Sequence, residues 1–307
     1  MKVLVLLSTY NGEHYLKDQL DSVLSQTGVD VSLLIRDDGS RDNTISILQS
    51  YKDHYSNIDI ELGNNIGCSA SFYWLLNEAK RKGVYDYYAF CDQDDVWLPQ
   101  KLINACTSLS QINESSPKMY CSNLRVVNEK LEDIGMKWNS NEEFVTKEQS
   151  LVCSMATGCT VVFDRTALDF FHHYPPRKMV IHDLWMLHLC LFFGRVVYDK
   201  ESYILYRQHG RNVIGAKTTL KSNILSKWHS LLHLFAHRGN ELEAREMLFA
   251  YKDILAEEDR KLIEIVANYR NRLSIRLRFL LGIGQAGKIR RKSDNLWLLF
   301  RIILGVV

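Results

Sequence analysis

At 307 residues, with 46% hydrophobic content and a formal net charge of +2, the chain is longer than one typical domain and can fill a substantial core. Near-neutrality and the lack of a recognised binding motif argue against nucleic acid as a partner. The seven cysteines (68, 91, 106, 121, 153, 159 and 190) form no CxxC pair, stand mostly in apolar context and are odd in number. They argue for buried thiols in a reducing cytosol, and against a zinc or disulfide framework.

The first predicted element is a buried-type strand over 2–8 (KVLVLLS), ending in Thr9-Tyr10-Asn11-Gly12. Its apolar run is too short for a signal peptide and enters a polar motif at once, so none is expected. A helical pattern follows over 13–26, with apolar Tyr15, Leu16, Leu20, Val23 and Leu24. A second strand over 31–35 runs into RDDGSRDNT at 36–44, and a helix over about 43–52 comes next. A third strand over 58–62 leads to GNNIG at 63–67. A fourth, over 87–91, runs an apolar segment straight into Asp92-Gln93-Asp94-Asp95. Polar groups thus gather at the C-terminal ends of a β-α-β-α-β-α-β series, where open α/β sheets bind ligands.

The three carboxylates after the fourth strand carry two readings. In an extended backbone Asp92 and Asp94 face one side, while Gln93 and Asp95 turn away. Two hard oxygen ligands on one side suit Mg2+ or Mn2+, which keep positions open for the oxygens of a diphosphate. Alternatively the acids belong to a helix approach, with Asp95 as a cap and Pro99 opening the following helix.

STYNGEHYL at 8–16, RDDGSRDNT at 36–44, GNNIG at 63–67, FCDQDDVWLPQKL at 90–102, TGC at 157–159 and HDLWM at 182–186 together resemble an inverting family 2 glycosyltransferase of the GT-A fold. RDDGS with DQDDVW, and YRQHGRNVIG at 206–215, are most similar to the rhamnosyltransferase-like branch that builds bacterial surface polysaccharides. The resemblance covers about 1–215, with the motifs in the family's order, and the C-terminal third carries no part of it.

By that resemblance Thr9, Tyr10, Asn11 and Glu13 surround the nucleotide base and ribose, and Asp38 accepts a hydrogen bond from the base. Read without the family, Asp38 is a turn residue and Asp42 or Asn43 a helix cap. Asn65 and Gly67 correspond to the stretch that passes close to the sugar nucleotide, although NNIG is also ordinary turn chemistry. The resemblance puts Asp92 at the ribose and metal and makes Asp94 the direct metal ligand. Asp92 and His209 are further candidates for the metal, which is Mg2+ or Mn2+. Thr157, Gly158 and Trp185 fall on the acceptor side. Asp183 is the expected catalytic base, standing where family members carry an acid at a helix start; the structural alternative makes it that helix's N-cap. His182 could substitute in principle.

Two departures from the commonest family pattern bear on activity. The catalytic neighbourhood reads His-Asp rather than Glu-Asp, and Gln208-His209-Gly210-Arg211-Asn212 replaces the Gln-x-x-Arg-Trp of processive synthases. One or a few additions are expected rather than processive synthesis. His209 or Arg211 is a candidate contact to the diphosphate or metal, and a solvent-facing loop is the competing reading for His209.

The net charge hides a division: residues 218–307 hold 16 Lys/Arg and nine Asp/Glu. In 270–307 cations alternate with apolar residues, in runs shorter than the ~20 residues of a spanning helix. An anionic membrane surface is the expected partner, reached by a helix lying in the interface; packing on the catalytic domain or on a second copy in a homo-oligomer is the alternative. GIGQAG at 282–287 matches G-x-G-x-x-G but has too few residues after it for a dinucleotide site. His229, His233 and His237 share a helix face without an HExxH pattern, so a wet or packed face is the simpler reading.

The expected architecture is α/β. A GT-A domain spans 1–215, with a mixed, mainly parallel sheet, a nucleotide-binding half over about 1–95 and an acceptor half over about 96–215. A basic helical region spans 216–307. The expected function is metal-dependent, inverting transfer of a sugar, rhamnose from a dTDP donor, to a glycan or lipid-linked glycan in surface polysaccharide synthesis. The expected location is cytoplasmic, peripheral to the inner face of the cell membrane. A metal-dependent nucleotidyltransferase or sugar-nucleotide hydrolase, or a non-catalytic sugar-nucleotide-binding scaffold, is the alternative.

Overall fold

A computed structural model describes residues 1–137, 146–151, 156–210 and 239–270. The chain divides into two compact units. The first contains Met1–Glu142, Ala156–His173 and Ile181–His209, and the second Glu143–Met155, Tyr174–Val180 and Gly210–Val307. The second unit therefore draws in two segments from within the expected first domain, which the sequence pattern does not separate from their neighbours.

In the first unit, strand β1 (Lys2–Thr9), helix α1 (Leu16–Leu24), β2 (Asp30–Asp37), α2 (Thr44–His54), β3 (Ile58–Leu62), α3 (Cys68–Ala79) and β4 (Tyr87–Cys91) form the expected alternating series. After it come β5 (Val96–Trp97), α4 (Lys101–Ser110), β6 (Lys118–Val127), β7 (Asp133–Lys137) and, beyond a 3-10 turn at Gly158–Thr160, β8 (Val162–Asp164). Helices α6 (Arg165–His173) and α7 (His182–Phe193) and the long strand β9 (Arg195–Arg207) complete the unit. The sheet runs β3-β2-β1-β4-β8-β6-β9-β5, with β7 paired to β6. It is mixed: β1 pairs parallel with β2 and β4, β2 with β3 and β6 with β9, while β8 pairs antiparallel with β4 and β6.

Val3 to Leu7 of β1 are buried on both faces, as a central parallel strand between helical layers requires. Register then places the site. Thr9 lies opposite Asp37, Asp37 opposite Leu62, and Leu7 opposite Cys91, so four strands end on one edge with their polar continuations side by side. Below that edge Phe90 packs edge-on against Phe72 and tilted against Phe163. Helix α7 is apolar nearly all round and is buried accordingly. Five of the six described cysteines are buried and Cys68 is exposed; Cys153 lies outside the described residues.

In the second unit, the short helix α5 (Lys147–Ser150) starts with a capping box between Thr146 and Gln149. Helices α8 (Gly239–Tyr251) and α9 (Glu257–Asn268) pack together, and Lys147 reaches Asp259 at 2.7 Å. The expected membrane segment beyond Arg270, the residue Arg211 and the histidines at 229, 233 and 237 lie outside the described residues. Among the described residues no helix is long and apolar enough to cross a membrane.

Candidate active site

The loop after β2 is built around two adjacent carboxylates. Asp37 accepts the Thr9 hydroxyl at 2.8 Å, the amides of Gly39 and Ser40 at 3.1 and 2.8 Å, and the Ser40 hydroxyl at 2.6 Å. Gly39 takes φ +82°, and a Cβ there would meet the Asn65 amide at 3.1 Å, so only glycine suits this turn. Asp38 accepts the Ile66 and Gly67 amides, each at 2.9 Å, and pairs with the Arg36 guanidinium. Arg36 also donates to the Asn64 carbonyl at 3.0 Å. The 63–67 loop is thereby wound onto the 36–40 loop.

These contacts redistribute the expected nucleotide-binding residues. Thr9 and Asp38 are buried, with Asp38 only 3% exposed, and both spend their polar atoms on the loops themselves. Asp38, expected to meet a base, is here a salt-bridged carboxylate that holds two backbone amides and shapes the pocket. Glu13 accepts the backbone and side-chain N–H groups of Asn43 at 3.0 and 2.7 Å, bracing the start of α2. Asn11 adopts a left-handed φ of 49°, held by the Ser40 hydroxyl on its amide and the Arg41 amide on its side-chain oxygen. Tyr10, at 45% exposure, and the exposed Asn65 remain free to face a ligand.

Strand β4 stops at Cys91 and the chain bends at Gln93 and Asp94, so strict alternation does not continue through the acids. Asp95 accordingly turns inward, contrary to expectation. Its carboxylate accepts the Arg207 amide at 3.1 Å, and ligand atoms of Asp92, Asp95 and Cys159 all lie within 4.8 Å of one another. Asp94 instead meets His209, with Nε2 2.9 Å from Oδ2. His209 stacks on Tyr15, its centroid 4.7 Å away, and so stands in the site and not in a solvent-facing loop. Arg207 ties the bend down: it donates to the Asp94 carbonyl at 3.0 Å, the Glu129 carbonyl at 2.6 Å and Asp18 at 2.7 Å.

On the other wall, α7 begins at His182 with Ile181 as its N-cap, so Asp183 sits in the first turn and is not the cap. Asp183 accepts the Leu184 amide at 2.7 Å. His182 is buried, stacked on Phe72 at 3.8 Å with the edge of Phe90 against it, and this apolar slot lowers its pKa to about 3. It stays neutral at working pH. A Cβ placed on Gly158 would lie 2.8 Å from His182 Nε2 and 3.7 Å from Asp183 Oδ2. The 157–159 turn therefore joins Asp183 on one side to the Asp92 cluster, through Cys159, on the other. Half-buried Thr157 sits in that turn, its carbonyl accepting from Thr160. Trp185, expected on the acceptor side, is fully buried, because two residues along a helix rotate a side chain by about 200° away from Asp183.

Burial foremost, then the Asp94 and Asp183 carboxylates, push the Asp92 pKa up to about 7. An unfolded aspartate titrates near ~3.9. The cost of ionising Asp92 in the fold is therefore absent below that value, grows between the two, and is complete above the folded pKa. Asp92→Asn should raise the melting temperature in chelator at about pH 8 and leave it near wild type at about pH 4. A gain of equal size at both pH values would contradict this electrostatic account.

Sequence reasoning missed several site-building residues. Arg207 and Gln93 act through contacts to residues far away in sequence, and no local pattern marks them. Lys101 is fully buried with Nζ 3.5 Å from the Trp97 ring centroid, and burial lowers its pKa to about 8. An ammonium four residues after a tryptophan reads in sequence as a solvated helix start.

Residues 4–171 match the family model described as Glycosyl transferase family 2. The dTDP-rhamnosyl transferase RfbG of Shigella flexneri is 28% identical, over 98% of this chain and 100% of its own length. Among solved structures, S. aureus TarS 1-349 in complex with UDP-GlcNAc superposes with a TM-score of 0.57 at 16% identity, over 99% of this chain and 92% of its own. The mannosyltransferase PcManGT from Pyrobaculum calidifontis, in complex with GDP-Man and Mn2+, gives 0.54 at 13% identity, over 99% and 85%.

Proposed function

The chain belongs to glycosyl transferase family 2 and has the GT-A fold, and from that premise we propose that it transfers rhamnose from a dTDP donor to a glycan or lipid-linked glycan hydroxyl, with metal dependence and inversion. The observation that carries the reading is the 157–159 turn, which sets Asp183 beside the acidic bend after β4. The rhamnosyl assignment is supported by the end-to-end likeness to RfbG.

In this reading the exposed Tyr10 ring and the 63–67 loop hold the nucleoside. Asp94 with His209, and Asp92 beside them, offer oxygen and imidazole donors that fit Mg2+ or Mn2+. A cation held there would supply positive charge to the departing diphosphate. Asp183 accepts the proton of the acceptor hydroxyl as that oxygen bonds to the anomeric carbon from the face opposite the breaking carbon–oxygen bond. Neutral His182, packed between phenylalanines, supports Asp183 over itself as the base. Thr157 and Gly158 line the acceptor side.

A ligand that binds only the folded state raises its stability. With Mn2+ present, dTDP-rhamnose should raise the melting temperature more than UDP-glucose or GDP-mannose does, and chelator should remove the difference. A larger shift with another nucleotide sugar would overturn the donor assignment.

The alternation of cations and apolar groups over 270–307 supports peripheral contact with an anionic membrane on the cytoplasmic side. Each Lys or Arg near such a surface contributes about 1 kcal/mol before screening by salt. Removal of 271–307, which spares the Arg270 contact to Glu241, should release the protein from phosphatidylserine vesicles without loss of donor binding. An insoluble truncated chain, or one that no longer binds donor, would assign the tail to the folded core or to a homo-oligomer interface.

A further inference from the structure

Gln93 lies between the two acids of the bend and turns away from them, onto the loop after β1. Its side-chain oxygen accepts the Tyr10 amide at 2.8 Å and its side-chain N–H donates to the Tyr10 carbonyl at 3.1 Å. One orientation of the amide satisfies both bonds, so the side chain mimics a neighbouring strand just where β1 has run out of partners. The next residue, Asn11, is the left-handed one. A Cβ on Gly12 would sit 2.3 Å from Gln93 Oε1 and 2.7 Å from its Cδ. No positive φ accompanies Gly12, so what excludes a side chain at position 12 is the seated Gln93 amide and not the backbone.

We propose that Gln93 is a positioning residue which fixes the main chain of the exposed Tyr10, and so the point its ring projects from, relative to the Asp92–Asp94 bend, so that the two ends of a nucleoside diphosphate meet groups at a preset spacing. This rests on the nucleotide-sugar reading of the site. The bond pair makes no contact with Asp183. Loosening it therefore charges donor binding with the ordering of the loop and leaves the proton transfer unchanged. Gly12 has the complementary role: an alanine there must push out the far end of a flexible side chain, which dismantles the strap without burdening the fold.

The test compares wild type, Gln93→Ala, Gly12→Ala and the double variant of the full chain. Binding of dTDP, UDP and GDP with Mn2+ is measured by calorimetry, rhamnosyl transfer by donor KM and kcat, and loop order by amide hydrogen exchange. Two neutral hydrogen bonds set the scale: each single variant should bind the preferred nucleotide about ten-fold more weakly, and the double variant no more weakly than either. Donor KM should rise in step with kcat within about two-fold of wild type, and exchange at the Tyr10 amide should quicken. Wild-type affinity in Gln93→Ala, or losses that add in the double variant, would overturn the positioning role alone. Failure of wild type itself to bind any of the three nucleotides would overturn the reading beneath it as well. Should Gln93→Ala not fold, Gly12→Ala and Gln93→Met carry the same comparison.

Discussion

Asp183→Asn should lower sugar transfer by roughly 10²–10⁴-fold while donor affinity stays near wild type, the scale expected when a positioned general base is lost. The substitution is nearly isosteric, and an asparagine oxygen can still accept the Leu184 amide that Asp183 accepts at 2.7 Å. Because Ile181 and not Asp183 occupies the N-cap, the substitution removes no capping residue from the start of α7. Removing one negative charge near Asp92 also eases ionisation there, so metal and donor should bind no worse. Loss of donor binding together with activity would instead make Asp183 part of the donor site, and the base would have to be another group. His182 is poorly suited to replace it: its burial among aromatic rings keeps the imidazole neutral but leaves it a very weak base.

Asp94→Asn should abolish Mn2+-dependent donor binding, and transfer with it, while the melting temperature in chelator changes little. Asp94 sits at a bend and not in the strand core, and the main-chain bond that holds the bend, from Arg207 to the Asp94 carbonyl, does not involve the side chain. An amide oxygen remains a ligand but brings no charge, and oxygen-coordinated divalent ions draw much of their affinity from carboxylate charge. His209→Ala should weaken Mn2+ binding as well, by less, since it removes an imidazole 2.9 Å from Asp94 and leaves both acids. Turnover by Asp94→Asn equal to wild type, or full wild-type activity in excess chelator, would remove the metal from the account.

The alternating half of the fold was legible because central parallel strands are continuous apolar runs and each ends in an unmistakable polar motif. Strand β3 falls on the expected residues, and β1 and β2 run slightly longer because their last residues still pair across the sheet at Thr9 and Asp37. What was not legible depends on contacts distant in sequence. Period-2 alternation put Asp95 on the far side of the strand, but the chain bends once β4 ends, and the Arg207 amide draws Asp95 inward. Asp38 reads as a free acid in a turn until Arg36 and the 63–67 amides are folded onto it. That Glu13 braces the second helix through Asn43, 30 residues away, is likewise not visible in the local pattern. The segments 143–155 and 174–180 join the second unit through pairs such as Arg177 with Glu246, at 2.7 Å, which no periodicity announces.

The central claim is transfer, as distinct from mere binding or cleavage of a sugar nucleotide. The most direct measurement follows dTDP-rhamnose labelled in the sugar, incubated with Mn2+ and a lipid extract of bacterial envelope as acceptor, using wild type and Asp183→Asn. Label should enter the lipid-linked glycan fraction with wild type alone, only with Mn2+ present, and with the anomeric configuration inverted relative to the donor. Release of the label as free rhamnose at the same rate with and without acceptor would make the protein a sugar-nucleotide hydrolase and contradict the account.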